Sequence, residues 1–205
     1  MKRFLLKTFV VALVAVMATK AADASTVLQR KGIENPEKWL LKTFAQGVVP
    51  PFSFTLDGKS SDTFIKSWSY SQKKMTAKEP NSTAWQFNYT DRKTGLKVTV
   101  DAVAFADYKS AEWTLRFTAG GVRTGRISNV RSADFEVKEK SESGYTLRRN
   151  QGSGGSVEDF RIINTPLKEG EQVKVAPAEG RSSSITSLPF FNIIGSDGGA
   201  FFSVG

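Results

Sequence analysis

AWQFNYT, residues 84–90, alternates without a break: Trp85, Phe87 and Tyr89 fall on one side, and Gln86, Asn88 and Thr90 on the other. A period of two places successive side chains on opposite faces of an extended strand, so the stretch predicts a half-buried β-strand. GLKVTV (95–100) repeats the pattern, with Leu96, Val98 and Val100 against Lys97 and Thr99. EWTLRFT (112–118) sets Trp113, Leu115 and Phe117 against Thr114, Arg116 and Thr118. Between the first two lies DRKTG (91–95), a polar turn ending in glycine that predicts an antiparallel hairpin.

Further strands are expected in RISNVRSADFEV (126–137), YTLRR (145–149), VEDFRII (157–163), EQVKVA (171–176), PFFNII (189–194) and AFFSV (200–204). The last two are joined by a Gly/Asp-rich turn, again a hairpin signal. Many short amphipathic strands separated by turns predict an all-β protein, a two-layer antiparallel β-sandwich. Helices do not alternate with the strands, which argues against a parallel α/β sheet.

One or two short helices are expected near the N-terminus. Asn35-Pro36-Glu37 combines an N-cap residue, a proline at the first helical position and an acid in the first turn. Trp39, Leu40, Leu41 and Phe44 then give an apolar face, and Gly47 a stop. SDTFIKSW (61–68) predicts a second short helix, capped by Ser61.

Upstream of these, Lys2, Arg3 and Lys7 precede an apolar run from Phe9 to Ala18, and Ala22-Asp23-Ala24 fits a small-x-small cleavage pattern. This is the layout of a secretory signal peptide, cut after Ala24. The apolar run falls well short of the ~20 residues needed to span a bilayer, so no stable membrane insertion is expected. The reading is thus a leader over 1–24, a lead-in with a short helix over 25–49 and a β-sandwich over 50–205, the mature chain being secreted or periplasmic. Removing Lys2, Arg3, Lys7, Lys20 and Asp23 lowers the net charge from +9 to +6.

The chain has no cysteine and no histidine. The first absence excludes disulfides, leaving the core to hold the fold. The second excludes serine and cysteine relays that use imidazole, and histidine zinc sites. No phosphate-binding loop, dinucleotide fingerprint or calcium loop is present, so neither cofactor nor metal is expected. Two carboxylates suffice for glycoside hydrolysis. However, Glu158 and Asp159 are adjacent and point to opposite faces of a strand, while Asp101, Asp107, Glu112 and Asp134 are scattered. No catalytic residue is assigned. Arg123, Arg126, Arg131, Arg148 and Arg149 lack the interleaved aromatics of a nucleic-acid face, and no nucleic-acid partner is expected. Trp85, Phe87, Trp113 and Phe117 read as core, with sugar stacking as the alternative if their sheet face is open.

Four phrases in order, PPFSFTLDGKSSDTFIKSW (50–68), TDRKTGLKVTVDAVAFADYKSAEWTLRF (90–117), SVEDF (156–160) and EGRSSSITSLPFFNI (179–193), resemble the N-terminal region of melibiase-type α-galactosidases. These belong to the glycoside hydrolase clan of families 27 and 36. The resemblance runs from about Trp39 to Gly205 and implies a large twisted β-sandwich ahead of a catalytic (β/α)8 barrel. That barrel carries the two catalytic aspartates of a retaining mechanism and needs roughly 250 residues. The expectation is a non-catalytic sandwich ending, after AFFSVG, where such a barrel would follow.

In the family, loops of this domain approach the active-site mouth. The matching segments are Gly152–Phe160 and Gly180–Phe191, with Asp159 and Arg181 as the substrate-proximal candidates. The implied partner is a galactoside-containing glycan, and a free-standing carbohydrate-binding module is the alternative. Self-association into a homo-oligomer stays open.

Overall fold

The computed structural model describes residues 33–121, 125–136, 144–176, 186–196 and 198–204. The predicted leader, the lead-in up to residue 32, Arg123 and Arg181 lie outside the described residues. The protein is all-β, and its described residues form three antiparallel sheets and one short α-helix. Helix α1 (Pro36–Thr43) precedes β1 (Ser53–Leu56), β2 (Lys59–Ser60), β3 (Ser69–Met75), β4 (Ser82–Thr90), β5 (Lys97–Phe105), β6 (Ser110–Thr118) and β7 (Ile127–Arg131). Then come β8 (Tyr145–Asn150), β9 (Ile162–Leu167), β10 (Phe190–Gly195) and β11 (Gly198–Ser203). The chain forms two compact units, Ile33–Phe135 and the described residues from Glu136 onward.

In the first unit, a sheet in the order β3-β4-β5-β6 faces a smaller one in the order β2-β1-β7. Register places Trp85, Ala102 and Trp113 in one row, Phe87, Val100 and Leu115 in the next, then Tyr89, Val98 and Phe117. All belong to the inner face, as the alternation predicts. Phe52 and Phe54 from the opposite sheet close on this face, with Phe54 edge-on to Phe117 at 5.2 Å and Phe52 edge-on to Tyr89 at 5.9 Å.

Helix α1 starts where the sequence predicts: the Asn35 side chain accepts from the Lys38 backbone N–H at 2.8 Å. It buries Leu40, and just past its end Phe44 stacks on Phe87 at 5.1 Å. The turn at Asp91–Gly95 also forms as read. Asp91 accepts from Thr94 Oγ1 (2.7 Å) and the Lys93 N–H (3.1 Å). Although desolvation pushes the Asp91 carboxyl up, these bonds hold it below its usual range.

Several segments depart from the sequence reading. SDTFIKSW forms two short 3-10 turns, Ser61–Thr63 and Ile65–Ser67, instead of a helix. The expected cap, Ser61, is buried and its hydroxyl accepts from the Phe54 N–H at 3.1 Å, so it holds β1. Strand β3, SYSQKKM, was not legible because only Tyr70 is apolar among its inward positions. As an edge strand it buries little, and its pairing with β4 from Ser69 to Met75 sustains it.

In the second unit, the sheet runs β11-β10-β8-β9. EQVKVA forms no strand, although Val173 and Val175 pack against the core of Leu147, Phe191 and Ile193. VEDF belongs to a turn, and β9 begins only at Ile162, running through Pro166. Proline is tolerated there because β9 is an edge.

Candidate functional site

The loop from Gly152 to Phe160 is built around Asp159. One carboxylate oxygen accepts from Ser153 Oγ (2.7 Å) and the Gly155 N–H (3.0 Å), and the other from the Gly154 N–H (3.0 Å) and Ser156 Oγ (3.2 Å). These donors, Ser153 foremost, hold the Asp159 carboxyl far below the usual carboxylate range. A carboxylate offers about four lone-pair sites. Here they are taken by the loop itself, so Asp159 acts as a turn-holding anchor, the role glycines at 154 and 155 and serines at 153 and 156 are suited to supply. The other substrate-proximal candidate, Arg181, lies outside the described residues.

Other carboxylates are likewise engaged in holding strands and turns. Asp101 pairs with Arg116 and accepts from Gln86 Nε2 (2.8 Å) on the outward face of the larger sheet. Asp134 bonds the Ser53 hydroxyl and Arg131. Asp57 accepts from the Arg126 N–H at 2.8 Å, and Asp107 from Asn81 Nδ2 at 2.9 Å. Among the described residues, no three or more acidic side chains gather as metal ligands.

The tryptophans considered for sugar stacking belong to the core of the first unit. The Trp85 indole donates to Glu37 Oε1 (3.0 Å), and Lys74 Nζ reaches the same oxygen (3.1 Å) while lying over the Trp85 ring. Trp113 donates to the Ser132 carbonyl at 2.6 Å and leans on Trp39 and Phe44. Both indole N–H groups point to partners within the fold.

An open aromatic surface occurs instead in the second unit. PFFN and AFFS each contain two consecutive phenylalanines, and adjacent strand residues point to opposite faces. Phe191 pairs with Phe202 in register and stacks on it at 5.2 Å on the inner face. Their neighbours Phe190 and Phe201 therefore face outward, where their rings meet at 6.0 Å, tilted by 34°. Phe201 is 63% exposed. Register continues this outer face across the sheet as Phe201, Asn192, Arg148 and Asn164. Arg148 Nε donates to Asn164 Oδ1 at 2.9 Å, which fixes the plane of the guanidinium. The signal was present in the sequence as the two Phe-Phe pairs, since no single face of either strand can hold both rings.

No helix among the described residues is long and apolar enough to cross a membrane. No known protein family, curated protein or solved structure matches the chain.

Proposed function

We propose that the chain is the non-catalytic N-terminal β-sandwich of an exported α-galactosidase-like glycoside hydrolase, in which it supports a catalytic barrel. One observation carries the reading: two of the four phrases that resemble the family supply much of the core of the first unit. Pro50–Trp68 contributes Phe52, Phe54, Ile65 and Trp68, while Thr90–Phe117 contributes Leu96, Val98, Val100, Ala102 and Ala104. The engagement of Asp57, Asp101, Asp134 and Asp159 in structural bonds agrees with a supporting role.

A second reading, a free-standing carbohydrate-binding module of the periplasm or cell surface, draws on the outward Phe190–Phe201 pair.

Incubation of the full chain with an aryl α-galactoside tests the first reading, and no hydrolysis is expected. Turnover abolished by a carboxylate substitution within residues 25–205 overturns it. The gene supplies a second test: a reading frame that continues beyond the Gly205 codon into a barrel with aspartates at its strand ends supports the hydrolase reading. An immediate stop favours the binding module.

A further inference from the structure

We propose that the outer face of the β8–β11 sheet is a binding site for an acidic glycan, an oligosaccharide bearing uronate groups. The proposal deepens the binding-module reading and is independent of the hydrolase reading. Three features of this face converge on that chemistry. First, exposed Phe201 and half-buried Phe190 form a ring pair at the β10–β11 end, an apolar platform of the kind that accepts the C–H face of a sugar ring. Second, the carboxamides of Asn192 and Asn164 flank Arg148 in the same row, each able both to donate to and accept from hydroxyls. The row crosses four strands, roughly 14 Å, which exceeds one sugar ring. Third, Arg148 carries the only charge on the outward positions of these four strands, and no ion pair to it forms among the described residues.

The charge selects among ligands. With Nε held by Asn164, the remaining guanidinium edge offers the parallel N–H pair that matches a carboxylate bidentately. A neutral sugar leaves that charge unanswered. An anionic membrane or a nucleic acid is held by several cations acting together, and this face supplies one. A glycan that sets one uronate carboxylate on Arg148 and an apolar ring face on the phenylalanines meets all three features.

Isothermal titration of the full chain with oligogalacturonate, a neutral oligogalactoside of equal length and phosphatidylserine vesicles tests the site. The uronate oligomer is expected to bind saturably, and the neutral oligomer at least about tenfold more weakly. Arg148→Gln and Phe201→Ala should each weaken uronate binding about tenfold, whereas Arg161→Gln, just past the Asp159 loop, should leave it unchanged. Far-UV circular dichroism verifies folding, and Asn192→Ala replaces Phe201→Ala if that variant unfolds. Absent saturation, equal affinity for the neutral oligomer, preference for vesicles, or indifference to Arg148→Gln each overturns the proposal. None of these outcomes bears on the aryl α-galactoside assay.

Discussion

Replacing Phe44 by alanine tests how the first unit is held together. Phe44 is wholly buried and touches three rings: Phe87 at 5.1 Å, Trp113 at 5.8 Å and Phe52 at 6.5 Å. It thereby joins the end of α1 to both sheets. Truncating a fully buried phenylalanine costs about 3–5 kcal/mol, and the site cannot collapse easily because its neighbours are large rings fixed on strands. We expect about 4 kcal/mol, a large part of the ~5–15 kcal/mol that holds a typical domain. With a urea slope of about 1–2 kcal/mol/M, the midpoint falls by about 2–4 M.

All four tryptophans of the chain, Trp39, Trp68, Trp85 and Trp113, lie in this unit, so fluorescence excited selectively at indole reports on it alone. Phe44→Leu, which keeps most of the apolar volume, should cost only about 1–1.5 kcal/mol. A loss below about 1 kcal/mol for Phe44→Ala, or equal losses for the two variants, refutes the assignment of Phe44 as the joint between helix and sheets.

Three further expectations follow from the geometry. The buried Tyr89 hydroxyl donates to the Phe44 carbonyl at 2.9 Å, so Tyr89→Phe strands a buried acceptor and should cost about 1–3 kcal/mol by the same urea assay. Asp159→Ala removes the acceptor of four loop bonds, and limited proteolysis should then cut within Gly152–Phe160 while the fluorescence transition of the first unit stays in place. Glu37, held below its usual range by the Trp85 indole and by Lys74, contributes stability that is full above its unfolded pKa. That contribution fades as pH falls through the lower folded value, so Glu37→Gln should be less stable than the parent near neutrality and the gap should close in acid, as thermal melts across pH would show.

Much of the first unit was legible because its signals are local. Period-two alternation in 84–90, 95–100 and 112–118 fixed three strands and the inner face of each, and these became β4, β5 and β6 in mutual register. The cap at Asn35 and the turn at Asp91 were equally readable, since each is closed by a side chain bonding backbone within three residues. Strand β3 was not, because an edge strand with Gln72 and Lys74 inward has no apolar period to detect. EQVKVA showed the opposite failure: alternating valines marked residues that reach the core, but no neighbouring strand pairs with them.

The candidate site divides along the same line. The family resemblance put forward Asp159 in the Gly152–Phe160 loop as a substrate-proximal candidate, but only the folded loop reveals that its own donors fill the carboxylate. Trp85 and Trp113 were placed on an inner face by alternation, yet the partners of their indoles, Glu37 and the Ser132 carbonyl, lie 48 and 19 residues away. The two Phe-Phe pairs dictated by themselves that one ring of each strand must face away from its neighbour. Which ring is buried, and that Phe201, Asn192, Arg148 and Asn164 share a row, came from the pairing of β11, β10, β8 and β9. Alternation is a property of one strand's backbone, whereas a surface spanning four strands exists only once long-range pairing has set their register.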